Sequence, residues 1–269
     1  MLMNERSCGG MRKDYHLHPM VMQCPERLDW FVERAKQKNI GEICVTDHMP
    51  LSLSNAPDRI PSGQVREYCA RVRELAKRYE GTIKIRCGIE IDYHPSVTEE
   101  IERVLDEGDF DFVLGSSHMH IFLKEFENYT FNDFAKVSLE NSLRAVETGW
   151  FSAIAHLDMY RWAFERPERF PLRDDGYSVE RYSDLIAELL DRLSSRGIYL
   201  ELNTHLAAAK HDLSFTYPDV TIAAWALEKY VRFSYGSDAH SPDAVGELLD
   251  ELEADPIYGK ALARWESEQ

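Results

Sequence analysis

"IKIRCGIEIDYH", residues 83–94, is a short apolar run that ends on two acids, Glu90 and Asp92. Its alternating, β-branched character predicts a strand over Ile83–Ile91. The same grammar recurs on both sides of it. Further strands are predicted over Asp14–His18, Glu42–Thr46, Phe112–Ser116, Ala153–Ala155, Ile198–Asn203 and Phe233–Tyr235. Amphipathic stretches separate them, predicted as helices over Glu26–Lys38, Gln64–Tyr79, Val97–Glu107, Phe131–Thr148, Val179–Arg196 and Thr221–Lys229, with a last one over Ala244–Leu252. In Val179–Arg196 the residues Tyr182, Leu185, Ile186, Leu189, Leu190 and Leu193 make one apolar stripe, with Ser178 as the predicted N-cap and Gly197 as the stop. Seven strand-then-helix units without a break in composition point to a parallel α/β domain, closed or nearly closed as a barrel. The competing arrangement is an open doubly wound sheet, but no glycine-rich phosphate fingerprint follows an early strand.

Composition narrows the class. The 269 residues carry 31 Lys+Arg against 47 Asp+Glu, a net charge of −16. An apolar share of 44% suffices for a sizeable core and excludes wholesale disorder. The acidic balance argues against a nonspecific binder of nucleic acid or membrane surface. No apolar run reaches the roughly 20 residues that span a bilayer. Residues 1–13 are polar, lack an apolar core and read as a short tail rather than a signal peptide, leaving 14–269 as one domain. The five cysteines form no CxxC pair, so a reducing cytoplasm is the expected compartment. The segments Leu51–Gly63 and Arg161–Tyr177 are long for simple connections and are candidate lids.

Chemically capable side chains gather at the end of every predicted strand. His16 and His18 end the first; Asp47 and His48 follow the second; Glu90 and Asp92 close the third; His118 and His120 follow the fourth. His156 and Asp158 follow the fifth, Glu201 and Asn203 end the sixth, and Asp238 and His240 follow the seventh. The C-terminal ends of the strands are the face on which barrels of this connectivity build their sites. Residues at i and i+2 of an extended chain share a face, so His16 and His18 can reach one cation. Imidazole together with carboxylate suits Zn, Fe or Mn. Seven or more candidate ligands exceed the needs of one tetrahedral ion. Two or three ions are therefore expected, with Glu90, central in the strand order, as the bridge. His94 and His211 read as ordinary surface or core histidines, and His120 depends on whether its segment stays extended. Asp92 and Asp158 are either partners that orient imidazoles or helix caps.

These motifs, "DYHLH" (14–18), "VTDHMP" (45–50), "GIEIDYH" (88–94), "GSSHMH" (115–120), "AHLD" (155–158), "ELNT" (201–204), "YP" (217–218) and "GSDAH" (236–240), occur in an order that resembles the polymerase-and-histidinol-phosphatase (PHP) superfamily, and within it the monofunctional histidinol-phosphatases. The resemblance implies a distorted seven-stranded (β/α) barrel with outer helices and a trinuclear metal centre. By position, one ion would take His16, His18, Glu90 and Asp238; a second Glu90, His118 and His156; a third His48 and His240. The family usually adds a ligand to the third ion shortly after the first motif. Here "PMVMQCPERL" (19–28) has no histidine and leaves Cys24 or Glu26 as substitutes. After the sixth strand this chain reads "THLAAAK" (204–210), where the family has a small residue and glycine following the threonine.

The implied activity is hydrolysis of a small phosphate monoester, L-histidinol phosphate in the first instance, by a hydroxide bridging two cations and attacking phosphorus in line. Glu90, His118 and Asp238 would carry the catalytic centre, Arg161 and Lys210 are candidate phosphate clamps, and His205 is the candidate proton donor. One alternative is a PHP phosphoesterase acting on nucleotides or oligonucleotides, which an extended basic groove would favour; no basic run interleaved with aromatics occurs. The other is a non-catalytic metal-binding structural or regulatory module.

Overall fold

A computed structural model of the chain describes residues 10–54 and 56–267. Its seven strands are β1 (Arg12–Leu17), β2 (Ile40–Val45), β3 (Lys84–Asp92), β4 (Phe112–Ser116), β5 (Ala153–Ile154), β6 (Tyr199–Asn203) and β7 (Phe233–Gly236). They lie in sequence order and every neighbouring pair is parallel. An order that never reverses adds each strand on the same side of the last. Right-handed crossovers then curl the sheet into a nearly closed barrel instead of an open doubly wound sheet.

The β1–β7 seam explains how closure is reached. Near the strand ends the His18 amide donates to the Ala239 carbonyl at 2.9 Å. Lower down, a side chain does the work of a ladder. The fully buried Asp14 carboxylate accepts from the Ser237 amide at 3.0 Å and from the Gly246 amide at 3.3 Å. Burial pushes this carboxyl up to about 6 despite those bonds.

Around the barrel run α1 (Arg27–Gln37), α2 (Val65–Arg78), α3 (Thr98–Glu107), α4 (Met119–Phe122), α5 (Phe131–Thr148), α6 (Tyr160–Phe164), α7 (Ser183–Arg196), α8 (His205–Lys210), α9 (Val220–Glu228), α10 (Leu249–Ala254) and α11 (Tyr258–Ser267). The core is formed by the strand interiors together with one stripe of each long helix. In α7 that stripe is Ile186, Leu189, Leu190 and Leu193, all fully buried, and Gly197 ends the helix at φ 67°. The predicted start at Val179 is a 3₁₀ turn over Val179–Tyr182, and the Ser178 hydroxyl bonds the Glu180 side chain instead of capping.

Three expectations are corrected. The polar stretch 1–13 is not all tail, because Arg12 and Lys13 open β1; residues 1–9 lie outside the described residues. The predicted helix Ala244–Leu252 does not form as one piece. Gly246 (φ 62°) and Leu248 (φ 60°) adopt left-handed backbone, since the Gly246 amide is tied to Asp14 and Val245 is buried against the barrel. Helix resumes only at Leu249. Finally, α11 has no counterpart among the predicted helices, although Tyr258, Ala261, Leu262 and Trp265 are buried at three- and four-residue steps. Cys24, Cys44, Cys69 and Cys87 are free thiols; Cys8 lies outside the described residues. Among the described residues no helix is long and apolar enough to cross a membrane.

Candidate metal centre

Strand β3 brings Glu90 to the middle of the barrel mouth, and its carboxylate is the hub of the site. Its Oε2 lies 3.3 Å from His16 Nε2, 3.4 Å from His18 Nε2 and 2.9 Å from His48 Nδ1. Its Oε1 lies 3.1 Å from His156 Nε2 and 3.7 Å from His118 Nε2, and accepts from the Ser116 hydroxyl. From the turn after β7, Asp238 Oδ1 stands 3.2 Å from His18 Nε2, 3.6 Å from His16 Nε2 and 3.6 Å from His240 Nδ1. Strand periodicity aims His16 and His18 inward from β1. Asp238 (φ 53°) and His156 (φ 27°) reach the centre through left-handed backbone just past β7 and β5, a conformation that non-glycine residues adopt only when their surroundings impose it.

The donor set fits divalent cations, and the reason is visible in what these atoms fail to do. His16 Nε2, both ring nitrogens of His18, His48 Nδ1 and Glu90 Oε2 are buried without a hydrogen bond. They approach one another closely yet without the alignment a hydrogen bond needs. Buried polar atoms left in that state cost free energy that a shared cation offsets. Donor atoms fall within 4.8 Å of one another in four groups: His16, His18 and Asp238; His16, Glu90 and His156; His18, His48 and His240; His205, Asp238 and His240.

Charge inside the cluster opposes burial. Burial alone raises a carboxyl and lowers an imidazole. Against it, His48, His16 and His118 draw Glu90 well below the ordinary carboxylate range. Glu201, Asp238 and Glu90 lift His16 well above the usual imidazole value, and Glu90 lifts His48 to about 9. His18 goes the other way, lowered by burial and by His240 and His48.

A second layer of residues holds these rings. Asp92 Oδ1 is 2.5 Å from His118 Nδ1, and Glu201 Oε1 is 2.6 Å from His16 Nδ1. Glu201 also accepts from the His156 amide at 2.8 Å. Asp92 is thus an orienting partner, not a cap. Asp158 does not orient His156, since its Oδ2 forms an ion pair with Arg161, 2.8 Å from Nε, and accepts from the Asp219 amide at 2.9 Å. Asp47 accepts the Met20 and Val21 amides, pinning the loop after β1. Gly236 permits the close approach of β7, because a Cβ there would fall 2.2 Å from Glu201 Oε1 and 2.5 Å from His16 Cβ.

A cavity of about 520 Å³ opens over the cluster, with Arg59, His120, Trp162, Arg169 and Tyr217 in its wall. Both candidate lids contribute to it, Leu53, Ser54, Ala56, Asp58 and Arg59 from one side and Trp162 and Arg169 from the other. The two clamps expected from the sequence are not in that wall. Arg161 is bound up in Asp158, the Ser214 and Thr216 carbonyls and the face of Tyr217, so it braces the loop that carries the cis Tyr217–Pro218 bond. Lys210 pairs with Glu165 at 3.0 Å on the outside. The cavity-lining cations are Arg59 and Arg169, which sequence reasoning missed; their place inside the two lids was the available signal. Glu26 is exposed at the start of α1, bonded to the Cys24 thiol, and joins none of the four groups; nor does Cys24. His120 belongs to α4 and lines the cavity, with its pKa pushed down to about 3 by burial and by His118. His94 bonds Ser96 and stacks on Phe122, and His211 ends α8, both away from the centre. His205, the first residue of α8, is exposed at the rim, its Nδ1 3.0 Å from the Asp238 carbonyl.

The family model of the PHP domain matches residues 14–205. A Deinococcus radiodurans protein named "Probable histidinol-phosphatase" is 28% identical, the match covering 87% of this chain and 88% of that one. The histidinol-phosphatase of Bacillus subtilis is 25% identical, over 87% of this chain and 96% of its own. Among solved structures, the histidinol phosphate phosphatase of Lactococcus lactis, determined in complex with Zn, L-histidinol and phosphate, superposes with a TM-score of 0.72 at 22% identity, over 93% of each chain. At that identity the superposition speaks for the fold.

Proposed function

Because the chain belongs to the PHP domain family, we propose that it is a metal-dependent phosphoric monoester hydrolase acting on L-histidinol phosphate, giving L-histidinol and inorganic phosphate. One observation carries the hydrolase reading: a single buried carboxylate, Glu90, with five imidazoles within 4 Å on the floor of an open cavity. The substrate is supported by the relatives' names, which agree on histidinol phosphate over nearly the whole of this chain.

Two or three divalent ions of the Zn, Fe or Mn type fit the donor set. His16, His18, Glu90 and Asp238 would hold one, Glu90, His118 and His156 a second, and His48 with His240 the third. Such ions acidify water and offset charge on phosphoryl oxygens. The chain's own residues do the rest. Glu201 and Asp92 hold His16 and His118 in one orientation, which preserves the spacing of the centre. Arg169 stacks on Trp162 and pairs with no carboxylate among the described residues, which leaves its guanidinium for an anion entering the cavity. The net charge of −16 does not oppose this, because local cations dominate the potential inside a pocket.

The test is phosphate release by the protein loaded separately with Mn, Fe and Zn, offered L-histidinol phosphate, a nucleoside monophosphate and a short oligonucleotide. Turnover of the first and not the others is expected. Release only from nucleotides would move the substrate class, and full metal loading without turnover of any ester would leave a binding module.

A further inference from the structure

Sequence and structure disagree about what completes the outer side of the centre. In the sequence, the stretch 19–28 offers a ligand only through Cys24 or Glu26. In the fold these two face each other at 3.5 Å, Glu26 is exposed, and neither joins a donor group. An imidazole from another part of the mouth stands at the rim instead. His205 begins α8 directly after β6, and its backbone amide donates to the Asn203 side chain at 3.0 Å, which fixes where the residue leaves the strand.

The ring is fixed as well. His205 Nδ1 and His240 Nδ1 each lie 3.0 Å from the same atom, the Asp238 carbonyl oxygen. One acceptor therefore anchors both imidazoles, which sit with centroids 5.5 Å apart. That oxygen is presented by the left-handed turn at Asp238 (φ 53°), the same turn that sends the Asp238 side chain into the centre. Donor atoms of His205, Asp238 and His240 lie within 4.8 Å of one another, and His240 also belongs with His18 and His48. An exposed histidine held in that way beside two donor side chains satisfies the geometric needs of a ligand.

We propose that His205 is a metal ligand of this chain, completing with Asp238 and His240 the outermost cation position. The proposal rests on the metal-dependent reading above. It replaces the proton-donor role expected for His205, since an imidazole that ligates an ion through one nitrogen and holds a carbonyl with the other has no proton for a leaving group.

Equilibrium metal content and affinity test it without any substrate. Wild type, His205→Ala, His240→Ala, the double variant, Cys24→Ser and Glu26→Gln are each titrated with Mn and Zn against a chelator, with bound metal counted by mass spectrometry and folding checked by circular dichroism. Expected is a loss of more than about ten-fold in affinity for the weakest-held ion in His205→Ala. The same ion should be lost in His240→Ala, with no further ion lost in the double variant and no change in Cys24→Ser or Glu26→Gln. Unchanged content and affinity in a folded His205→Ala protein would overturn the proposal and leave the hydrolase reading intact, as would loss of the ion in Glu26→Gln. A wild-type protein that binds no divalent ion would overturn both.

Discussion

Asp92 joins two parts of the site that are far apart in sequence. Its Oδ1 lies 2.5 Å from His118 Nδ1 while its Oδ2 receives Arg59 at 2.6 Å. One carboxylate, fully buried, thereby sets the orientation of an imidazole beside Glu90 and anchors the lid segment that carries Arg59. Replacement by Asn keeps the size and removes the charge that both partners need. Asp92→Asn is expected to lower metal affinity or turnover by about 10–100-fold, the usual effect of losing an orienting partner. Chelator titration and steady-state kinetics would check it, and wild-type values in both would remove Asp92 from the support of the centre.

Glu90→Gln should be more severe. The hub carboxylate faces five imidazoles, so its neutralisation weakens two cation positions together. Bound metal is expected to drop by at least one equivalent and phosphate release to fall to background, with the circular dichroism spectrum unchanged. Retention of full metal content would contradict the bridging role.

Metal uptake should release protons. In the metal-free cluster Glu90 lifts His48 to about 9, so His48 carries a proton at neutral pH that a cation must displace, and the acids around His16 favour its protonated form in the same direction. Affinity is therefore expected to rise with pH from about 6 to about 9 and to level off above. Calorimetry at about pH 7 in two buffers of different ionisation enthalpy reads the proton count directly. Equal heats in both buffers would show that no proton leaves.

Asp14 makes a prediction about stability instead of chemistry. Its folded-state pKa of about 6 lies above the ordinary carboxyl value of 3.8, so the folded protein takes up a proton between these values. The stability this gives is full below about 4 and is lost as pH rises through about 6. Asp14→Asn cannot titrate. The advantage of wild type over Asp14→Asn should shrink by about 2 kcal/mol between about pH 4.5 and about pH 7, measured by urea unfolding of the metal-free proteins. A gap independent of pH would show that Asp14 is not protonated in the seam.

Much of this molecule is legible along the chain because the deciding signals are local. Strand and helix alternate by period, the stripe of Leu189, Leu190 and Leu193 announces its helix, and acids and imidazoles recur just beyond each strand. The errors come where a distant residue overrides a local pattern. The helix expected over Ala244–Leu252 is broken because Gly246 is tied to Asp14, 232 positions away. Arg161 has the position of a clamp in sequence, but Asp158 and the loop carbonyls hold it.

The order of residues was therefore enough to specify a parallel (β/α) architecture, which follows from periodicities of about two and about 3.6 residues, and to mark the C-terminal ends of its strands, where acids and imidazoles recur, as the chemical face. Convergence is another matter. That His18, Glu90 and Asp238 share one point, that Asp92 serves His118 while Asp158 serves Arg161, and that His205 reaches the rim where Glu26 does not, all depend on barrel closure and on backbone turns at His156 and Asp238. These are long-range contacts with no local signature, because the packing that imposes them comes from every strand at once.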